Sequence, residues 1–318
     1  MRELEAKGAS MLRFVSKYVL RAAELYLHAS KPDQKRSFRA LSREFASLFE
    51  TAQGSVHLDF CRPGWMQNVR EIQAKFLPAP PFGFLRNRLI LSTMVTTRDD
   101  VFRVEMEMLK ARYPPRVLSA LAKEDCVGRP CLASVRYLTS HNSVHHLYHL
   151  AAYEQASGAS LSGVGSVVEW GGGYGNMAKL LRRINPAVTY VIIDLPIFSC
   201  LQWLYLSSIL GRERVRLIGN QAEEIVPRAI NLLPTTWLDR CRPSGDLFIA
   251  TWSLSECTEQ AQSYVAGRDF FGAQRLLLAF QSASADWPAA EKLGTLASAR
   301  GARVVPIAFL PGNFYAFR

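Results

Sequence analysis

Four glycines and two carboxylates mark the segment of the chain that is best suited to bind a cofactor. Residues 167–176 read VVEWGGGYGN, so Glu169 stands two positions before the first glycine, Gly171. Glycines at a turn between a strand and a helix let the backbone approach a ligand without side-chain collision. A second carboxylate, Asp194, ends the apolar run TYVIID, where it can accept hydrogen bonds from both hydroxyls of a ribose. The pattern predicts a cofactor site whose glycines are Gly171, Gly172, Gly173 and Gly175.

Two classes of cofactor fit this loop. Residues 173–178 match G-x-G-x-x-A, the dinucleotide fingerprint, which is a weak signal on its own. Residues 169–175 also read E-x-G-x-G-x-G, in which the acidic residue at the end of the first strand receives the ammonium group of a bound amino-acid moiety. That arrangement suits S-adenosylmethionine, which has an ammonium group and no pyrophosphate. Asp194 serves either cofactor, so it does not separate the two classes.

Residues after the second and third predicted strands extend the site. Pro196 fits the first turn of a helix, so Asp194 has an alternative role as the residue that caps that helix. We favour the ribose role, because the strand end lies at the ligand-binding edge of such sheets, and we place Leu195 beside it. Asn220 and Gln221 follow the third strand, where an amide could read the edge of an adenine or serve only in a turn.

The glycine loop and its surroundings resemble a known enzyme family. The segments VVEWGGGYGNMAKLL, YVIIDLPIFSCLQWLYLS, DLFIATWSLSE and LPGNFYAFR are together similar to the sugar O-methyltransferases, which are class I S-adenosylmethionine-dependent enzymes. The resemblance covers the C-terminal half and continues upstream through NSVHHLYHLAAYEQASG. It implies methyl transfer to a hydroxyl of a sugar, a glycan or a lipid-linked sugar. The alternatives are a nucleic-acid-directed methyltransferase or binding protein and an NAD-dependent dehydrogenase.

A group of histidines could supply the base that methyl transfer to a hydroxyl needs. Four of the six histidines lie between positions 141 and 149, and His141, His145 and His149 share one helical face. We expect His145 or His146 to take the proton, and we favour His145 because of that shared face. Neighbouring helical residues are about 100° apart, so only one of the two should face the site. Packing between the two halves of the chain is the alternative role, and we predict no metal site.

The end of the fourth predicted strand should lie beside the transferred methyl group. It reads TWSLSE, and the resemblance places Thr251 in the cofactor site. Ser253 and Glu256 also form the S-x-x-E pattern of a helix capping box, a role at least as well supported. Glu256 becomes the first candidate for the base if both histidines prove dispensable. Trp252 is suited to stacking on a sugar ring or to packing in the core.

The elements that must position these residues change character along the chain. Residues 1–158 are predicted to form a mainly helical domain, with a break at 31–33 and helices at 99–112 and 141–157. Residues 159–318 alternate strands with helices, which predicts an S-adenosylmethionine-binding domain of α/β class. We expect a class I methyltransferase fold, Rossmann-like and doubly wound, with seven strands of which the last is antiparallel. The predicted strands are 166–169, 189–194, 215–218, 246–251, 275–280, 303–309 and 314–317.

Composition narrows the class of protein. The 318 residues carry a net charge of +11, of which +9 falls within residues 1–150. The basic residues are scattered rather than grouped into a stripe with aromatics, which argues against nucleic acid as a partner. No apolar run approaches the ~20 residues of a membrane span, although peripheral contact with a membrane stays open. Charges interrupt the first thirty residues and six cysteines form no C-x-x-C pair, so we expect a cytoplasmic protein with reduced thiols.

Overall fold

One eight-stranded sheet organises the C-terminal half of the chain. The computed structural model describes residues 17–54, 60–219 and 224–318. The sheet order is β3-β4-β2-β1-β5-β6-β8-β7, and all neighbouring pairs are parallel except the two that involve β8. The strands are β1 (Ser166–Trp170), β2 (Thr189–Asp194), β3 (Val215–Leu217), β4 (Ile230–Pro234), β5 (Leu247–Thr251), β6 (Arg275–Gln281), β7 (Arg303–Pro306) and β8 (Asn313–Phe317).

The topology confirms the predicted α/β class and the class I Rossmann-like fold, with the last strand antiparallel. The prediction of seven strands is wrong, because β4 adds an eighth between β2 and β3. This strand has only five residues, reads INLLP and contains a polar residue at its second position. That residue, Asn231, is fully buried and donates to the backbone oxygens of Val226 and Ala229. A buried amide paired with backbone breaks the apolar pattern by which strands are recognised.

Helices cover the sheet and form most of the N-terminal part. Upstream of residue 158, the described residues contain no β structure except an isolated bridge between Ser134 and Thr139. The first described helix, α1, covers 17–30, and residues 1–16 lie outside the described part. The other helices are α2 (Pro32–Leu41), α3 (Phe45–Ala52), α4 (Pro63–Phe76), α5 (Arg88–Met94), α6 (Asp99–Arg112), α7 (Pro115–Ala122), α8 (His141–Ser157), α9 (Asn176–Ile184), α10 (Pro196–Leu210), α11 (Glu259–Gly267) and α12 (Lys292–Ser298).

Local signals explain where the histidine-bearing helix α8 begins and ends. The side chain of Ser140 accepts a hydrogen bond from the backbone N–H of Ser143, which caps the first turn. Gly158 follows the last residue in the left-handed conformation at φ +69°, where glycine avoids the cost that a side chain would bring. These signals are readable in sequence, and both bounds of this helix are as predicted.

The helical part and the sheet share one hydrophobic core. The cluster runs from α2 and α3 through α10 to β1 and β2, and it includes Phe45, Trp203 and Tyr190. Helix α10 is apolar on every side because α2 and α3 cover the face that points away from the sheet. This packing joins α2 and α3 to the sheet through α10. The predicted boundary between residues 158 and 159 stays a prediction.

Candidate active site

A cavity of about 310 Å³ opens at the carboxyl ends of β1, β2, β4 and β5. Ligands of doubly wound sheets bind at this edge, where the chain switches from one side of the first strand to the other. Here that point lies between β1 and β5, which are direct neighbours. Residues from α4, α5 and α8 close the opposite side, so both halves of the chain contribute to the walls.

The glycine loop leaves no room for a side chain at Gly171 or Gly172. At Gly172, an added Cβ would lie 2.6 Å from Cγ2 of Ile192 and 3.0 Å from Oε2 of Glu169. Gly171 has φ +72°, and a Cβ there would overlap the side chain of Ser253. The backbone therefore passes directly against Glu169 and the end of β5, which is the close approach that the sequence pattern predicts.

Glu169 places a buried carboxyl group in the wall of the cavity. It is 3% exposed, and its Oε2 accepts a hydrogen bond of 3.0 Å from the hydroxyl of Tyr190. Burial raises the pKa of Glu169 to about 8, and the neighbouring Asp194 adds to the rise. A carboxyl group in this condition is stabilised in its ionised form by any cation that enters the cavity.

Asp194 lies at the end of β2 and also lines the cavity. Its Oδ1 accepts from the backbone N–H of Leu195 at 2.8 Å, and its Oδ2 accepts from Nε2 of Gln202 at 2.7 Å. Burial raises the pKa of Asp194 to about 7, against the lowering effect of these donors. Gln202 also donates to the backbone oxygen of Gly173, so it ties the glycine loop to Asp194. Sequence analysis missed Gln202, which gives no motif signal on helix α10.

Thr235 adds a described residue to the wall beside Asp194. Asn220 and Gln221 lie outside the described residues, and the strand before them, β3, is separated from β2 by β4. Thr235 directly follows β4, lines the cavity and is 5% exposed. Its buried hydroxyl has no hydrogen-bond partner among residues 17–54, 60–219 and 224–318, which is uncommon for a buried polar group. Because β4 pairs with β2, Thr235 follows the partner of Asp194 at this edge, and the roles expected of Asn220 and Gln221 stay predictions.

His145 faces the cavity from α8 and is held by a carboxylate that sequence analysis missed. Its Nδ1 lies 2.5 Å from Oε1 of Glu105, a fully buried residue of α6. The ring stacks on Trp252 at a centroid distance of 5.3 Å and an angle of 22°. Trp252 itself adopts φ +59°, a conformation that is costly for a large side chain and that clusters at functional sites. Glu105 and Trp252 together orient His145, so Nε2 is the ring nitrogen available to the cavity.

His146 lines the same cavity, so the prediction that only one of the two histidines faces it is wrong. Its Nδ1 pairs with the side-chain amide of Asn176 at 3.1 Å. Burial lowers the pKa of His146 to about 3, and the charges of His145 and Lys179 contribute. Residues of the glycine loop and of the end of β5 line this cavity together with both histidines. His146 is therefore neutral at physiological pH.

The other two histidines of α8 do not line the cavity. His141 pairs with Asp99 at the surface, at 2.8 Å. His149 is fully buried behind His145, and its Nδ1 lies 2.5 Å from the hydroxyl of Tyr315. The three histidines that share one helical face thus have different surroundings: His141 lies at the surface, His145 in the cavity and His149 in the core.

The end of β5 brings the remaining predicted residues to the cavity. Thr251, Trp252, Ser253 and Glu256 all line it. Burial raises the pKa of Glu256 to about 7, against a hydrogen bond from Trp65. The capping-box alternative for Ser253 is not seen, since its hydroxyl bonds the backbone oxygen of Trp170. Together with Glu169 and Asp194, Glu256 makes three carboxyl groups with raised pKa values around one cavity.

Other features of the described residues bear on partners and compartment. No group of three or more His, Cys, Asp or Glu side chains in ranges 17–54, 60–219 and 224–318 is arranged to hold a metal ion. Within the same ranges, no helix combines the length and apolar character that crossing a bilayer requires. All six cysteines are free thiols. Several N-terminal basic residues pair within the molecule, including Lys31 with Asp125 and Arg86 with Glu24.

Comparisons with known proteins add the following similarities. No family model matches the chain, and no curated protein matches it. The pyocyanin biosynthetic protein PhzM is 19% identical over 94% of this chain and 98% of that chain, with a TM-score of 0.38. Human N-acetylserotonin methyltransferase in complex with S-adenosylmethionine is 14% identical over 80% of this chain and 65% of that chain, at 0.37. LaPhzM is 15% identical over 56% of this chain and 57% of that chain, at 0.36.

The chain thus spans less than two thirds of the last two structures. At these TM-scores the similarities decide nothing about activity. The strand order and crossovers of this chain identify its fold, and the cavity is the evidence for its function.

Proposed function

We propose that this protein is an S-adenosylmethionine-dependent methyltransferase that acts on a hydroxyl oxygen. The observation that carries the proposal is the set of three carboxyl groups, Glu169, Asp194 and Glu256, around one cavity at the switch point of the sheet. Burial disfavours their ionised forms, so the cavity favours a ligand that carries positive charge. S-adenosylmethionine carries an ammonium and a sulfonium group and fits this requirement.

Each polar residue of the cavity matches one chemical group of the cofactor. Glu169 would receive the ammonium group, next to the close backbone of Gly172. Asp194 would accept from the ribose hydroxyls, and Thr235 lines the cavity one strand farther along the edge. A dinucleotide fits this wall less well, because its pyrophosphate would lie at the glycine loop against Glu169, and two negative groups would repel each other there. The dehydrogenase alternative is weakened for this reason.

The chemistry of the transfer assigns a role to His145 and Glu105. Bound S-adenosylmethionine supplies an electrophilic methyl group. His145 takes the proton of the acceptor hydroxyl on Nε2 as that oxygen bonds to the methyl carbon, and the electron pair of the broken carbon–sulfur bond stays on sulfur. Glu105 holds Nδ1 and stabilises the imidazolium that forms. Residues of α4, α5 and α8 form the wall of the cavity opposite the sheet.

Within this class we propose a sugar or glycan hydroxyl as the acceptor, with lipid-linked sugars included. The support is the sequence resemblance together with a wall that combines polar groups with the aromatic rings of Trp65, Phe198 and Trp252. Trp252 already stacks on His145, so Trp65 is the better candidate to contact a sugar ring. Six free thiols are consistent with a reducing compartment, and we propose the cytoplasm. The basic excess does not form an identified nucleic-acid surface, so we do not extend the proposal to nucleic acid.

The cofactor assignment is tested by calorimetry with S-adenosylmethionine and with NAD. We expect binding of S-adenosylmethionine only, and we expect Asp194→Ala to weaken it at least tenfold, since each lost charge-assisted hydrogen bond is worth about 1.5–3 kcal/mol. Asp33→Ala, at an exposed position of α2, is the matched control and should bind normally. Binding of NAD without S-adenosylmethionine would overturn the proposal. Incubation with labelled S-adenosylmethionine and glycan or lipid-linked sugar extracts then tests the acceptor class.

A further inference from the structure

The two adjacent histidines of the cavity are held in opposite tautomers by their neighbours. Nδ1 of His145 faces the carboxylate of Glu105, which only accepts hydrogen bonds, so this nitrogen carries a proton. Nδ1 of His146 faces the amide nitrogen of Asn176, which only donates, so this nitrogen carries none. His146 is neutral, and its proton is therefore on Nε2. One ring offers a lone pair to the cavity, and the other offers an N–H group.

The orientation of Asn176 is fixed independently of His146. Its amide nitrogen also donates to the backbone oxygen of Asn142 at 3.3 Å, and a reversed amide would set two oxygens against each other there. Asn176 is fully buried, so water cannot replace these partners. The packing between α8 and α9 thus determines which nitrogen of His146 carries the proton.

We propose that His146 donates its Nε2–H to the same hydroxyl oxygen from which His145 removes the proton. The inference rests on the proposed function and assigns a second catalytic residue to it. The ring centroids are 6.3 Å apart. A ring nitrogen lies about 1 Å from its centroid and a hydrogen bond spans about 3 Å, so this separation is short enough for one oxygen in the cavity to reach both rings.

This arrangement selects oxygen over nitrogen as the nucleophile. A hydroxyl oxygen has two lone pairs, so it can accept from His146 with one and bond to the methyl carbon with the other. A neutral amine has one lone pair, which cannot do both, and a protonated amine has none. The expected acceptor is therefore a hydroxyl compound, and an analogue with an amino group at the same position should be a poor substrate. His146 also stabilises the negative charge that develops on the oxygen as His145 removes its proton.

Nitrogen-15 NMR of the whole protein with labelled histidine tests the tautomers without relying on activity. Spectra of His145→Gln and His146→Gln assign the signals. We expect an unprotonated Nδ1 and a protonated Nε2 for His146, and a protonated Nδ1 for His145. Asn176→Asp should move the His146 proton to Nδ1, because a carboxylate accepts where the amide donated. A proton on Nδ1 of His146 in the wild-type protein overturns the inference, even if methyl transfer is confirmed.

Turnover tests the donor role. With labelled S-adenosylmethionine and the extract fraction that accepts the label, His146→Leu should lose about 10²-fold in kcat while it still binds the cofactor. His146→Gln retains an amide donor of similar reach and should recover part of that loss. His141→Leu is the matched control on the same helix, because His141 contacts Asp99 outside the cavity. Equal turnover of His146→Leu and the wild type overturns the donor role. Absence of transfer by the wild type, with the expected tautomers present, counts against the proposed function instead.

Discussion

Glu169→Gln should make the protein more stable while it weakens cofactor binding. Glu169 is 3% exposed, and it faces the cavity with one oxygen bonded to Tyr190. Glutamine has the same shape, and its oxygen can still accept from Tyr190 while its nitrogen faces the cavity. The substitution therefore removes an ionisable group without leaving a new unpaired atom or a hole.

The size of the effect follows from the pKa of Glu169. Burial raises that pKa from 4.5 to about 8, so the native state holds a proton that the unfolded chain releases. The carboxyl group therefore destabilises the native state increasingly as pH rises from 4.5, and the loss levels off above about 8. At 1.36 kcal/mol per pKa unit, the substitution should raise the free energy of unfolding by about 3 kcal/mol at pH 7 and about 1 kcal/mol at pH 5.

Urea denaturation of the cofactor-free protein, followed by tryptophan fluorescence between about pH 5 and 9, measures this difference. Glu107→Gln, at an exposed position of α6, is the matched control and should show no such pH-dependent gain. Calorimetry on the same proteins should show weaker binding of S-adenosylmethionine to Glu169→Gln, because the ammonium group loses its counter-charge. A variant that is no more stable than the wild type at pH 7, or a difference that does not grow with pH, would refute the reasoning.

Three further outcomes are expected. Gly172→Ala should cost about 1–3 kcal/mol by thermal denaturation and prevent cofactor binding, because its Cβ would lie 2.6 Å from Ile192; normal binding would show that the loop can move. Lys179→Met should lower the free energy of unfolding by about 3–5 kcal/mol in urea denaturation, because Glu124 stays buried without its partner at 3.0 Å. Adding Glu124→Gln should recover much of the loss. A double variant as unstable as the single one would contradict this. Burial raises the pKa of Asp194 to about 7, and its ionised form accepts hydrogen bonds better. Affinity for S-adenosylmethionine should therefore increase from about pH 6 to 8. A calorimetric affinity that does not change over this range would exclude the ribose role of Asp194.

Sequence alone was sufficient for the parts of the fold that depend on local pattern. The apolar runs of β1 and β2 are separated by the glycine turn and a helix, and this alternation predicts a parallel sheet with its ligand edge at Glu169 and Asp194. Helix α8 has a serine cap at one end and a glycine at the other, so its bounds were also predictable. These features depend on residues close together in the chain.

Tertiary structure decided which residues meet across long separations. β4 carries a buried Asn231 whose partners are backbone atoms, so its short run did not predict a strand, and its insertion brings Thr235 next to Asp194. Glu105 lies 40 residues before His145 on another helix, and Asn176 lies 30 residues after His146, so no spacing rule connects either pair. Sequence identified the two histidines as candidates for proton transfer. Their different protonation depends on one facing a carboxylate and the other an amide, which only the packing of α6 and α9 against α8 determines.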